Sequence, residues 1–356
     1  MPANHATPSA DAFVDRLLHW FDAHGRHDLP WQHPRAPYRV WLSEIMLQQT
    51  QVTVVIPYFH KFVARFPALA DLAAADNDTV MAHWAGLGYY ARARNLHAAA
   101  KQCVTLHGGQ LPRDFDALLA LPGIGRSTAG AILSQAWNDP FAIMDGNVKR
   151  VLTRFHGIGG YPGLPVIENS CGNWPLRMSH VPPGRLADYT QAQMDFGATL
   201  CTRAKPACVL CPLQHDCSAR RDGLVEALPT PKPGKQLPER EATALLLRNA
   251  EGHILLQRRP PTGIWASLWT LPQAETDSGM RAWFAAHIEG DYERAEEMPL
   301  IVHTFSHYRL RLQPLRLRKV ALRAAVRDND DLRWVAPTDL ASLGLPAPIR
   351  KLLDAL

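Results

Sequence analysis

The stretch FDALLALPGIGRSTAG, residues 115–130, reads as two short helices joined by a turn that carries Gly123 and Gly125. Phe115, Leu118, Leu119 and Leu121 recur at helical spacing, Pro122 and Gly123 break the period, and it resumes from Arg126. This is the pattern of a helix-hairpin-helix over about residues 114–137. The two glycines are expected to give the turn positive φ and to let a phosphate approach without meeting a Cβ. Unpaired N–H groups at the start of the second helix, around Ser127, then face an anion. Such a device holds a nucleic-acid backbone without reading its sequence. An ordinary tight turn between two helices is the alternative.

Downstream, AIMDGNVKR at 142–150 places Asp145 just before a helix expected to start near Asn147. An aspartate there is a natural N-cap. Upstream, YRVWLSEIMLQQTQV at 38–52 reads as one helix whose Glu44, Gln48 and Gln51 form a polar stripe among apolar neighbours. A glutamate flanked by Leu42, Ile45 and Met46, with Trp41 a turn back, is a candidate general acid, because desolvation raises a carboxyl pKa. A surface glutamate is the plain alternative.

Further on, CTRAKPACVLCPLQHDC at 201–217 sets Cys201, Cys208, Cys211 and Cys217 at C-x6-C-x2-C-x5-C. The intervals differ from those of zinc ribbons, and four thiolates are the usual cage of a 4Fe-4S cluster. Four structural or disulfide cysteines are the alternative. Cys103 and Cys171 remain without an obvious partner.

With 356 residues, 47% of them hydrophobic, the chain is long enough for two domains. A net charge of +5 is compatible with a polyanionic partner but too mild to establish one. There is no apolar leader and no long apolar run, so a soluble, cytoplasmic monomer is expected, nucleoid-associated if the source is bacterial. The fold class expected is multidomain. An all-α region occupies residues 1–222, a proline-rich linker residues 223–240, and an α+β domain residues 241–356. Strands are expected at 242–248 and 253–259 as a hairpin, then at 300–304, 309–317 and 332–335, with a closing helix near 348–355.

The cysteine quartet, LPGIG with the aspartate 20 residues beyond Gly125, and WLSEIMLQQTQV together resemble the MutY family within the endonuclease III superfamily of helix-hairpin-helix DNA glycosylases. RHDLPW at 26–31 and GLGYYARARNL at 86–96 share that resemblance. It covers nearly the whole chain and implies a monofunctional adenine DNA glycosylase. Such an enzyme excises adenine mispaired with 8-oxoguanine or guanine in double-stranded DNA. On this reading Glu44 protonates the base, Asp145 stabilises the oxocarbenium ion, and Asn147 positions sugar or water. Trp31 and Gln191 would line the base pocket, and Gln49 and Thr50 would touch the opposite base. Leu87 and Tyr89, on an exposed turn, would wedge into the stack, and Arg92 and Arg94 would contact phosphates. The cysteines would hold a structural 4Fe-4S cluster whose loop presents Arg203 and Lys205 to DNA. Ser127 stands where bifunctional lyases of the superfamily carry a lysine, so no Schiff base can form there.

PPTGIWASLWTLP at 260–272 resembles the start of a Nudix-like domain of the MutT type, but no R-E-x-x-E-E helix follows to hold Mg²⁺. The domain is therefore expected to recognise rather than hydrolyse, with Phe305, Ser306 and His307 resembling the loop that reads 8-oxoguanine. An endonuclease III-like lyase, a non-catalytic damage reader and a nucleotide pyrophosphatase are the rival readings.

Overall fold

The computed structural model describes residues 10–167, 178–234, 236–323 and 331–356; Cys171 lies outside them. Packing divides the chain into two compact units, Met1–Ala73 with Ala98–Gly234, and Ala74–His97 with Lys235–Leu356. Among the described residues no helix is long and apolar enough to cross a membrane.

The first unit is helical. It holds α1 (Ala10–His24), α2 (Pro37–Leu47), α3 (Val52–Arg65) and α4 (Leu69–Ala74). Helix α5 (Asn77–Trp84) belongs to the second unit, and α6 (Ala91–Leu106) begins there and runs back into the first. Then come α7 (Phe115–Ala120), α8 (Arg126–Trp137), α9 (Gly146–His156), α10 (Leu186–Asp195) and the short α11 (Ser218–Arg221). Phe13, Val14, Leu17, Leu18 and Phe21 recur at helical spacing along α1 and form one apolar stripe. It packs on Val148, Val151, Leu152 and Phe155 of α9 and on Tyr189 and Ala192 of α10. Each such side chain stabilises the unit by about 1.5–3 kcal/mol. Cys201, Cys211 and Cys217 pack at the border of this core.

The helix expected across 38–52 is two helices. Helix α2 stops at Leu47, Gln48 turns out at ψ 110, Gln49 is left-handed at φ 57, and Gln51 is the extended N-cap of α3. Glu44, Gln48 and Gln51 therefore do not share a helical face. Neither glycine nor proline marks the break. The burial of Val40 to Ser43, Ile45 and Met46 sets the end of α2, as tertiary packing often overrides propensity.

The second unit is built on a mixed sheet in the order β10-β2-β1-β8-β6. Strand β1 (Glu239–Arg248) turns back into β2 (Ile254–Arg258) as the expected hairpin, with Arg248 opposite Ile254. Its other neighbour is β8 (Arg309–Arg318), parallel to it from Glu239 opposite Arg309 to Arg248 opposite Arg318. Ala244 to Leu247 are all fully buried, the continuous apolar run of a central strand covered on both faces. Short strands β3 (Trp269–Thr270), β4 (Gln273–Ala274), β5 (Ile288–Glu289) and β6 (Glu296–Glu297) precede β7 (Ile301–Thr304), which pairs antiparallel with β8. Strand β9 (Ala321–Leu322) pairs with β5, and β10 (Leu332–Val335) closes the far edge. Helix α12 (Asp277–His287) packs Met280 and Phe284 on Leu245, Leu247 and Leu255, and α13 (Ala347–Asp354) ends the chain.

Candidate active site

A cavity of about 490 Å³ opens within the first unit, lined among others by Trp31, Glu44, Thr50, Asp145, Asn147 and Gln191. Two segments expected to carry chemistry, around Glu44 and around Asp145, thus meet at one space.

Asp145 is the N-cap of α9 and accepts a hydrogen bond from the Val148 amide at 2.8 Å. Asn147 donates Nδ2–H to its other oxygen at 3.4 Å. Burial holds the Asp145 carboxyl above the ordinary aspartate value, while the bonds from Val148 and Asn147 and the charge of Arg150 pull it back. The segment leading to Asp145 is anchored by Ser127, whose hydroxyl accepts from the Met144 amide at 3.0 Å. Ser127 therefore holds the turn that presents the carboxylate.

Glu44 is partly open to the cavity and otherwise enclosed. Desolvation pushes its carboxyl from 4.5 up to about 7; the bond from Gln135 opposes the rise and the nearby Asp145 charge adds to it. Burial raises both carboxyls on this cavity, Glu44 to about 7 and Asp145 against the pull of its amide donors and of Arg150, so their surroundings differ. Behind the wall that Arg26 and Gln191 form, Asp195 is fully buried and accepts from the Arg26 amide at 2.7 Å and from Arg26 Nε at 2.8 Å, with Arg26 Nη2 on the same oxygen as Nε. It also accepts Gln191 Nε2–H at 2.8 Å, which fixes that amide. Gln191 lines the cavity, and its Oε1 is buried without a hydrogen-bond partner among the described residues, an unmet demand for a donor.

Cys201, Cys208, Cys211 and Cys217 line a second, smaller cavity with Arg154 and Arg220. Arg154 Nη1 reaches Cys201 Sγ at 3.5 Å. Burial pushes the Cys211 thiol up to about 12 and raises that of Cys217, so a positive centre is what would ionise them. Among the described residues no group of three or more His, Cys, Asp or Glu is placed to hold a metal ion. Four cysteines on one cavity are the donor type and number of a 4Fe-4S cluster. Arg150 links this loop to the first cavity. Its Nε donates to the Cys201 carbonyl at 2.9 Å, and its Nη2 donates to the Gly197 carbonyl at 2.7 Å and Asn147 Oδ1 at 2.8 Å. Gly197 must be glycine here, since a Cβ would lie 2.6 Å from Asn147 Cβ.

In the hairpin turn Gly123 is left-handed at φ 81, but Gly125 is extended at φ -95 as the N-cap of α8. Only one of the two glycines is therefore required by conformation; at Gly125 a Cβ would meet nothing within 4 Å, so the turn stays open there. Gln49 is exposed, and Thr50 sits at the cavity mouth. In the second unit Tyr89 is 54% exposed at φ 48, whereas Leu87 is 5% exposed, correcting the expectation of a wholly exposed pair. Arg92 is buried and donates to the carbonyls of Leu87 and Gly88, and Arg94 donates to the Ala266 carbonyl at 2.8 Å. Arg92 thus braces the turn, whereas Arg94 is tied to the Ala266 carbonyl. Phe305, Ser306 and His307 form the turn between β7 and β8; Ser306 and His307 are exposed, and Ser306 Oγ lies 3.4 Å from His307 Nδ1. His307 and Tyr308 also line a cavity of about 520 Å³ within that unit.

Sequence reading missed Arg26, Gln135, Arg150 and Asp195. Each acts through a partner far along the chain, and the single local signal was a charged or amide residue among apolar neighbours, as at Asp195 in α10.

Residues 42–175 match the HhH-GPD superfamily base excision DNA repair proteins, and residues 243–355 match the NUDIX domain. Adenine DNA glycosylase of Buchnera aphidicola subsp. Acyrthosiphon pisum (strain APS) is 35% identical over 342 residues, covering 96% of this chain and 97% of that protein. Adenine DNA glycosylase of Homo sapiens is 32% identical over 401 residues, covering 96% of this chain and 73% of that protein. Among solved structures, a thermostable thymine-DNA glycosylase is 30% identical and superposes with a TM-score of 0.54, covering 60% of this chain and 97% of its own. A non-covalent endonuclease III–DNA complex, 24% identical with a TM-score of 0.50 and covering 60% of this chain and 95% of its own, shares the fold. With relatives at this identity along almost its whole length and both component domains matched, the chain belongs to the adenine DNA glycosylases, DNA N-glycosylases of the HhH-GPD superfamily.

Proposed function

We propose that this enzyme excises adenine mispaired with 8-oxoguanine or guanine in double-stranded DNA, and leaves the phosphodiester backbone intact. The observation that carries the reading is the shared cavity of Glu44 and Asp145, with the Glu44 carboxyl pushed up to about 7. Glu44 donates its proton to a ring nitrogen of the extruded base, and the electron pair of the glycosidic bond leaves with the adenine. Asp145, anionic under the amides of α9, stabilises the sugar cation while water adds, aided by Asn147. Gln191 Oε1 accepts from the exocyclic amine, a group guanine does not offer at that position, and Trp31 walls the pocket. Ser127 supplies no amine for strand cleavage.

Residues Gly123, Gly125 and Ser127 suit the DNA backbone, Gln49 and Thr50 the opposite base, and the exposed Tyr89 the wedge that offsets unstacking. The cage of Cys201, Cys208, Cys211 and Cys217 suits a 4Fe-4S cluster, which when bound orders the loop bearing Arg203 and Lys205. Arg150 carries that order to Asn147. Arg150→Met is expected to slow base release by on the order of 10- to 100-fold while iron content changes little, because Asn147 loses its brace, whereas the loop loses one backbone contact at Cys201 and keeps all four thiols. Parallel assays of iron and of single-turnover release check this.

In the second unit, Ser306 suits the N7–H that 8-oxoguanine has and guanine lacks, a contact worth about 1–3 kcal/mol of discrimination. Ser306→Ala is expected to reduce the preference for A:8-oxoguanine over A:G by about tenfold with little change on A:G; unchanged preference would remove Ser306 from recognition. The test of the whole reading is adenine release from an A:8-oxoguanine duplex beside an A:T duplex. Strand breaks only after alkali and only in the mispaired duplex support it. Breaks without alkali would indicate lyase chemistry, and binding without release would indicate a damage reader.

A further inference from the structure

Gln135 stands in the last turn of α8, after a run of small and apolar residues, and it is 3% exposed. Its Nε2 donates to Glu44 Oε1 at 2.8 Å, across 91 positions of sequence. A buried amide of this kind is held only where a partner satisfies it, and the partner here is the carboxyl that faces the reaction cavity. We infer that Gln135 is a positioning residue that decides which oxygen of Glu44 carries the transferable proton and over what pH range it is carried.

The inference rests on the reading of Glu44 as general acid and deepens it. With Oε1 engaged as acceptor, a neutral carboxyl carries its proton on Oε2, so the acid has one orientation rather than two. A donor to the carboxylate also favours the ionised form and opposes desolvation. Gln135 from α8 lowers the proton affinity of Glu44 and Asp145 from the head of α9 raises it; Arg26, Arg150 and Arg203 are the other charged residues on the same cavity. Without Gln135 the proton would be held more tightly and aimed less well.

The experiment is the pH profile of single-turnover adenine release for the full-length enzyme, for Gln135→Leu and Gln135→Met, and for Glu44→Gln as control. The acid works when protonated, so the rate falls as pH rises through its pKa. Removing the donor is expected to move that fall upward by about one pH unit and to lower the plateau rate by about tenfold, since the carboxyl loses its fixed rotamer. A uniformly slower enzyme with the fall at an unchanged pH would mean a merely structural role and would overturn the inference. Full activity of Glu44→Gln would sink the general-acid reading itself; an inactive Glu44→Gln beside an unmoved Gln135→Met profile would sink this inference alone. The wild-type enzyme provides a measurement that needs no variant. The side-chain amide resonances of Gln135 should titrate with the same midpoint as the fall in rate, and amide signals flat across that range would also refute it.

Discussion

Asp145→Asn is expected to lower single-turnover adenine release by on the order of 10³-fold or more while leaving the fold and duplex binding in place. The reason lies in the double duty of the side chain. As the N-cap of α9 it accepts the Val148 amide, and asparagine serves as an N-cap about as well as aspartate. What asparagine cannot supply is negative charge on the cavity wall, where solvent is too scarce to replace it. Asp145→Ala, by contrast, is expected to lose the charge and about 1 kcal/mol of capping together. Base release, gel-shift affinity and thermal unfolding of both variants separate the two roles. An asparagine variant within tenfold of the wild-type rate would remove Asp145 from the chemistry.

Glu44→Gln is expected to cost 10²- to 10⁴-fold in base release and, at the same time, to stabilise the protein above neutral pH. The sign follows from the raised carboxyl. Folding lifts Glu44 from 4.5 to about 7, so between those values the folded state binds more protons than the unfolded one and stability falls as pH rises. The penalty is absent below 4.5 and complete above about 7. At about 1.4 kcal/mol per unit, and reduced because the side chain is partly open to the cavity, it amounts to roughly 2 kcal/mol. Glutamine has no charge to desolvate. Urea unfolding should therefore show a variant more stable than wild type at pH 8 and equal to it at pH 4. Equal stabilities at both would mean that Glu44 is not desolvated, and its candidacy as an acid near neutrality would fail with that.

Much of the architecture was legible locally. The periodicity and glycine break of residues 115–130 read correctly as α7, a turn and α8, and Asp145 read correctly as a cap, because caps and turns are decided by a few consecutive residues. Alternating and continuous apolar runs located β1, β2, β7, β8 and β10 to within a few residues. The C-x6-C-x2-C-x5-C spacing put four thiols on one loop, and the structure rings one cavity with them.

Elsewhere local reading failed. The stripe of Glu44, Gln48 and Gln51 dissolved because Gln49 turns left-handed under packing that no neighbouring residue announces. Arg92 and Arg94 read as phosphate ligands; in the structure Arg92 bonds carbonyls of its own turn, and Arg94 bonds the Ala266 carbonyl 172 positions away, which local order could not specify. The parallel pairing of β1 with β8 joins strands some seventy positions apart.

By itself, then, the amino-acid sequence determined the helices, caps, strands and the cysteine loop of this glycosylase, since each depends on residues within a turn or two of one another. Only the tertiary structure decided the site. Arg26 meets Asp195 across 169 positions and Gln135 meets Glu44 across 91. The proton affinity of Glu44 is set by the water those contacts exclude, and desolvation is a property of packed surroundings that no residue carries alone.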